Sequence, residues 1–293
     1  MKRPAGQSHP FCRKMARLWD LPFADPAFAP RLQIVTICQM ARNSSKSQSL
    51  KVYQARRNFN STPEPSGREK ARGRSAKKKS PMFCVQKHLA SHLHYDFRLE
   101  HHGVLLSWAV PKGPSLNPKD KRLAMRVEDH PLDYGDFEGV IPSGYGAGIV
   151  MLWDTGTWKP QDGFEDVDAA LAAGEIKFRL DGVKLKGSWV LVRTRGPRPD
   201  STGESRSWLL IKHRDDWAGA IDVTGKAPDS VKSFGDFADI LAADKPDIWE
   251  SNRPAKGGEA GKMLQDVIDE AAKRKVEKAG PKRAPKKRRS TRG

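Results

Sequence analysis

The 293-residue chain is 37% hydrophobic and 30% charged and carries a net charge of +18, which allows one large domain or two smaller ones but not a core along the whole length. No apolar run approaches the ~18 residues of a membrane-spanning helix. Cys12, Cys38 and Cys84 are scattered and lack CxxC spacing, which argues against a disulfide framework or zinc ribbon and for a reducing, cytoplasmic setting.

The basic charge is concentrated in the flanks. Residues 1–80 hold 18 Lys/Arg against 4 Asp/Glu, residues 81–250 hold 21 against 26, and residues 271–293 hold 11 against 1. Runs such as Lys77-Lys78-Lys79 and Lys286-Lys287-Arg288-Arg289 suit a polyanion, because each phosphate they neutralise releases counterions. Nucleic acid is the expected partner and the nucleoid the expected location, with a solvated solubility tail as the bland alternative.

In chain order, residues 1–50 read as a disordered extension. Its first 39 residues are rich in Pro and Ala, and Met40 opens a Ser/Lys-rich stretch that is a candidate natural start. Residues 51–80 form an arm with a Ser/Gly/Lys/Arg-rich second half. Residues 81–245 then carry many short extended segments: Met82–Val85, Leu93–Leu99, Val104–Val110, Leu123–Val127, Gly148–Trp153, Glu175–Leu180, Gly187–Arg193 and Trp208–His213. Gly, Pro, Asp and Asn separate them. A short helix is predicted at Val167–Ala173, with Asp166 near its start and Gly174 at its end. The pattern is mainly β and points to a small antiparallel β-barrel or sandwich with one or two short helices. Residues 246–293 read as a linker, a helix over Gly261–Lys278 and a disordered basic tail.

The densest chemistry lies between Gln86 and Glu100. Leu93, Tyr95, Phe97 and Leu99 fall on one face of a strand, with His94, Asp96, Arg98 and Glu100 on the other. With His88 just upstream, the set is two imidazoles, a carboxylate and an adjacent guanidinium. Such a donor set leaves open positions for water and substrate and, without thiolates, favours Mn²⁺, with Fe²⁺ or another divalent transition metal as alternatives. Arg98, on the same face as Asp96, suits a phosphate held beside the metal; a structural salt bridge to Asp96 or Glu100 is the competing reading. Further on, Lys112 is presented on a Pro/Gly turn, and Arg122, His130 and Tyr134 follow in segments whose bland reading is an exposed loop. The glycine-rich 139–148 stretch lacks P-loop context and reads as a tight barrel connection.

Together these segments closely resemble the 3′-phosphoesterase domain of the bacterial end-joining DNA ligase D family. The matching stretches are Gln86–Glu100, Ser107–Ser115, Val127–Tyr134, Phe137–Pro142 and Trp153–Trp158, within a resemblance running from about Val52 to Arg214. The resemblance implies a β-barrel that uses Mn²⁺ to remove a 3′-terminal ribonucleoside and then the 3′-phosphate, leaving a 3′-OH on a DNA primer-template. His88, His94 and Asp96 match the family's metal ligands. Arg98 and His130 match residues that engage the scissile phosphate, and Gln86, Lys112, Arg122 and Tyr134 match further active-site positions. Arg57-Asn58-Phe59-Asn60-Ser61-Thr62-Pro63-Glu64 resembles the family's Arg-Asp-Phe-x-x-Thr-Pro-Glu segment, which puts Arg57, Asn58 and Glu64 in the site, with Asn58 in place of Asp. The loop from Ile141 to Gly146 is one residue shorter than the family's usual form.

The expected chemistry has Arg98 and His130 sharing the developing charge. His130, near its ordinary pKa, would also protonate the leaving oxygen. No ligase or polymerase module is expected, so a monomeric stand-alone phosphoesterase would work in trans with a Ku-like protein, a polymerase and an ATP-dependent ligase. A noncatalytic DNA-end-binding module and a cupin-like metal oxygenase are the alternatives.

Overall fold

Alternating apolar residues wind the central segment into antiparallel strands, and the pairing of the first with the seventh closes the sheet on itself. The computed structural model describes residues 49–67, 80–195, 205–243 and 259–279. The Lys77–Lys79 run, the linker after Pro246 and the 286–289 run lie outside the described residues, as does nearly all of the N-terminal extension.

The strands are β1 (Met82–Leu89), β2 (Leu93–His101), β3 (Val104–Val110), β4 (Arg122–Arg126), β5 (His130–Pro131), β6 (Gly139–Ile141), β7 (Gly148–Pro160), β8 (Glu175–Gly182), β9 (Lys186–Arg193) and β10 (Ser207–Lys212). The barrel runs β1-β2-β3-β4-β10-β9-β8-β7 and returns to β1, with β5 on the edge of β3 and β6 on the edge of β7. The eight expected strands are present, Val104–Val110 with the expected bounds and the others with shifted ends. The shift that matters is in β1, which continues through Leu89 and so takes Gln86 and His88 into the sheet.

One face of each strand fills the barrel. Phe83, Val85, Phe97, Leu99, Trp108, Trp153, Phe178, Trp189 and Leu191 are completely buried there. Aromatic rings meet at offset or edge angles, as between Phe97 and Phe178 (5.8 Å) and Tyr95 and Trp153 (5.3 Å). A β-bulge on β7 makes this possible beside the site: Val85 pairs with Asp154 but Gln86 with Leu152, so Trp153 is the extra residue. Gly148 starts β7 where a Cβ would lie 2.2 Å from the Leu89 carbonyl oxygen, so only glycine lets the strand approach the end of β1.

The helices are α1 (Lys51–Ala55), α2 (Val167–Ala173), α3 (Val223–Lys226), α4 (Phe237–Ala243) and α5 (Glu259–Ala279), with a 3₁₀ turn at Leu132–Asp136. Helix α2 has the expected bounds: Asp166 accepts from the Ala169 N–H and left-handed Gly174 ends it. Leu264, Val267, Ile268 and Ala271 of α5 recur at helical spacing and join the core. Arg274 ties α5 to Asp236 and Asp239 at 2.7 and 3.0 Å. Helices α1 and α3 and strands β5 and β6 are too short for a periodic signal and were not legible in the sequence, and neither was α4, which lacks the left-handed glycine that ends α2. None of the described helices is long and apolar enough to cross a membrane.

A second, smaller core forms on the outward face of β1, β3 and β7. It contains Tyr53, Met82, Cys84, Leu105, Tyr134 and Leu152, with Phe59 and Phe137 beside them. The arm and the 3₁₀ turn therefore roof the polar face of the β1–β2 hairpin.

Candidate metal centre

Antiparallel register lines up the polar groups. Across β1 and β2, Gln86 pairs with Asp96 and His88 with His94; across β2 and β3, Arg98 pairs with Ser107; and Leu105 of β3 pairs with His130 of β5. Directly paired residues share a face, so seven polar side chains meet on one outward patch. His88 is thus the cross-strand partner of His94 rather than a residue upstream of the strand.

His88 Nδ1 lies 3.8 Å from Asp96 Oδ2, and His94 Nε2 lies 3.8 Å from Asp96 Oδ1. These separations are too long for hydrogen bonds. Each ring's other nitrogen faces a carbonyl: His88 Nε2 is 3.0 Å from the Gly146 oxygen, and His94 Nδ1 is 2.9 Å from the His92 oxygen. A carbonyl only accepts, so those nitrogens carry the protons. The lone pairs of His88 Nδ1 and His94 Nε2 are left turned toward Asp96. The three donor atoms lie within 4.8 Å of one another. Two neutral imidazoles and a carboxylate, with tautomers fixed from behind, fit a first-row divalent cation.

The charges agree with that reading. Burial alone would raise the Asp96 carboxyl, but the Arg98 guanidinium beside it holds it well below the usual carboxylate range. Burial pushes His94 down, aided by His88 and Arg98 and opposed by Asp96. An anionic carboxylate and an unprotonated imidazole are the forms that ligate metal.

Arg98 is the hub of the neighbouring network and is only 2% exposed. Its Nε donates to Gln86 Oε1 at 2.8 Å, Nη1 to Ser107 Oγ at 2.7 Å and to His130 Nδ1 at 2.8 Å, and Nη2 to Asp96 Oδ2 at 3.0 Å. Gln86 in turn donates to the Tyr134 and Phe137 carbonyls at 2.9 and 2.8 Å, which fixes the 3₁₀ turn against β1. The salt-bridge reading of Arg98 is therefore realised, with Asp96 as partner rather than Glu100.

His130 corrects an expectation. It is buried between the Tyr53 and Tyr134 rings, at 4.9 and 4.8 Å. Burial, Arg98 and Arg57 hold it well below the ordinary imidazole value. It is neutral near pH 7, and the predicted leaving-group acid with a near-neutral pKa is not what the site contains. His130 Nδ1 also lies 2.9 Å from the Glu128 carbonyl oxygen and 3.3 Å from Ser107 Oγ, so Arg98, Ser107 and Glu128 converge on this one ring nitrogen.

The arm closes the site from the other side. Arg57 Nε donates to buried Glu64 at 2.8 Å, Nη1 reaches Glu128 at 3.3 Å, and the guanidinium stacks 3.9 Å from the Tyr53 ring centroid. Arg57 Nη2 lies 3.4 Å from His130 Nε2. Asn58 behaves differently. It is exposed, and its Oδ1 accepts from the Asn60 N–H at 3.2 Å, so its side chain builds the local turn and does not enter the cluster.

Lys112 and Arg122 also stand apart. Lys112 is exposed on a turn closed by the Gly113 N–H to the Val110 carbonyl. Arg122 pairs across to Leu210, a barrel-core residue, and its Nη2 donates to Asp120 at 3.1 Å. Among the described residues, no hydrogen bond or ion pair joins either one to the His/Asp/Arg network.

Sequence reasoning missed Tyr53, Ser107, Glu128 and the Gly146 carbonyl. Ser107 was findable from the Leu105/Ser107/Ala109 alternation once β3 is paired with β2. Tyr53 and Arg57 stand four residues apart, the spacing of one helical face.

Residues 86–193 match the family model described as the DNA ligase D 3′-phosphoesterase domain. The multifunctional non-homologous end joining protein LigD of Pseudomonas aeruginosa is 47% identical over 219 residues, which is 73% of this chain and 24% of that protein. LigD of Mycobacterium bovis is 43% identical over 147 residues, covering 50% of this chain and 18% of its own, and LigD of Mycolicibacterium smegmatis is 35% identical over 175 residues, covering 58% and 21%. The chain thus spans about a quarter or less of these relatives. The cupin-like oxygenase alternative falls with this match. The barrel that carries the His88–His94–Asp96 cluster is a member of the DNA ligase D 3′-phosphoesterase domain family.

Proposed function

We propose that this protein is a metal-dependent phosphoesterase that processes DNA 3′ ends, removing a terminal ribonucleoside, a 3′-phosphate or both to leave a 3′-OH for ligation in bacterial end joining. The observation that carries the reading is the convergence of His88 Nδ1 and His94 Nε2 on Asp96, with Arg98 bound to the same carboxylate at 3.0 Å. A divalent cation such as Mn²⁺, held by these three side chains, would supply charge stabilisation to a phosphate oxygen.

The remaining roles belong to the chain. Gly146 and His92 hold the two rings in their ligating tautomers through the carbonyls they present. Arg98 keeps Asp96 anionic and holds the neutral His130 ring through Nδ1, with His130 Nε2 next to Arg57. The Arg57 guanidinium beside this uncharged ring suits the nonbridging oxygens of a phosphate, whose charge grows as the ester bond breaks. The aromatic roof of Tyr53, Tyr134 and Phe59 keeps water from the back of this network. Lys112, exposed near the end of the β2–β3 hairpin, and Arg122 would engage the substrate strand rather than the metal ligands. The Lys/Arg-rich termini would hold the primer-template, and a Ku-like protein, a polymerase and an ATP-dependent ligase would act in trans.

The test uses primer-templates ending in a single ribonucleotide, a 3′-phosphate or a plain 3′-OH, incubated with the full chain in Mn²⁺ or in chelator. The reading requires Mn²⁺-dependent conversion of at least one of the first two ends to 3′-OH. DNA-end binding without turnover in any metal would refute it in favour of a noncatalytic end-binding module.

A further inference from the structure

We propose that His101, His102 and Asp168 form a second binding site for a divalent transition metal, apart from the cluster in the family domain's centre. Strand β2 ends at His101 and β3 begins at Val104, which pair with each other across the turn. The two residues between them, His102 and Gly103, have φ of 47° and 80°, the signature of a two-residue type I′ turn. In extended backbone, consecutive side chains leave opposite faces. The left-handed residue at 102 cancels that alternation and returns its ring beside that of His101, with ring centroids 3.9 Å apart.

Both rings then point at one carboxylate from another element. His101 Nε2 lies 2.8 Å from one Asp168 oxygen, and His102 Nε2 lies 2.7 Å from the other. Asp168 belongs to the first turn of α2. The donor atoms all lie within 4.8 Å of one another. The side chains of His102 and Asp168 are 54% and 65% exposed, so the remaining coordination positions open to solvent and an ion can enter without unfolding anything.

The two imidazoles beside one carboxylate favour a borderline transition-metal ion such as Zn²⁺ over Mg²⁺ or Ca²⁺. In the present geometry each Nε2 donates its proton to Asp168. Ligation through Nε2 moves each ring proton to Nδ1, so the ion replaces two hydrogen bonds and no atom is lost. The bound ion would cross-link the β2–β3 turn to α2.

The probe is Zn²⁺, titrated calorimetrically into the full chain carrying Asp96→Asn, which disables the first cluster. One equivalent is expected to bind. Adding Asp168→Asn, which keeps the side-chain shape and removes the anion, is expected to weaken that binding at least tenfold. His102→Asn, which keeps a residue tolerant of left-handed φ, is expected to do the same. Circular dichroism and Tm check that each variant is folded. Absence of Zn²⁺ binding in the Asp96→Asn chain would overturn the proposal. So would a Zn²⁺ affinity that neither Asp168→Asn nor His102→Asn changes.

Discussion

Arg98→Lys keeps the charge of the hub and removes its fork. The guanidinium serves Gln86, Ser107, His130 and Asp96 at once, through three nitrogens pointing in fixed directions. A single ammonium in the same buried place can hold Asp96 and one neighbour, which strands about two buried acceptors. Each such loss costs about 1–3 kcal/mol, so the variant should be less stable by roughly 2–6 kcal/mol. For a domain of this size that is a Tm lower by roughly 10 °C. The chemical cost is separate, because Asp96 and His130 lose the preorganised donor that positions them together. Removing a preorganised donor of this kind lowers kcat by about 10²- to 10³-fold. Thermal unfolding and Mn²⁺-dependent release of a 3′-phosphate measure the two effects on one preparation. A folded Arg98→Lys protein with wild-type Tm and kcat would refute the hub, because retained charge alone would then suffice.

Other outcomes follow from single features. Gly148→Ala places a methyl group 2.2 Å from the Leu89 carbonyl oxygen; strand β7 must move away from β1 next to His88, and activity should fall together with Tm. Equal values for the variant and the wild type would show the approach to be unimportant. Burial lowers the Lys184 pKa to about 8, against the pull of Asp154 and Asp229. Its folded value thus lies below the unfolded one, so the unfolded chain binds more protons between about pH 8 and 10.4, and stability should rise with pH across that window. Lys184→Met should flatten the rise in a denaturant series, and an unchanged slope would exclude Lys184 as its source. Deleting residues 280–293 removes 7 Lys/Arg, which should weaken primer-template binding and reduce the salt slope by up to about 6. A slope equal to that of the full chain would show that the tail does not touch DNA.

The strand that carries the chemistry was legible because its alternation is strict: Leu93, Tyr95, Phe97 and Leu99 go inward, and His94, Asp96 and Arg98 outward. Helix α2 was legible for an equally local reason, an acceptor at Asp166 and a left-handed glycine at 174. Long-range closure was not. Nothing in residues 51–64 announces that Tyr53 will pack against His130, because that contact depends on the arm folding back over the finished hairpin. The Gly146 carbonyl that fixes the His88 tautomer is a backbone atom and has no residue-type signature. The His130 expectation failed because its pKa follows from burial and from two arginines, one of them 73 positions away in sequence. Asn58 sits in a motif that reads as part of the site, yet its side chain completes a turn. Motif membership places a residue near a site without saying which way it points.

The central claim is that the chemistry needs the metal-ligand cluster of His88, His94 and Asp96. Its most direct test measures Mn²⁺-dependent release of phosphate from a 3′-phosphate primer-template by Asp96→Ala and His94→Ala, each checked to be folded by its Tm. The account predicts loss of release to the no-enzyme level in both variants. Release at the wild-type rate by either folded variant would contradict it.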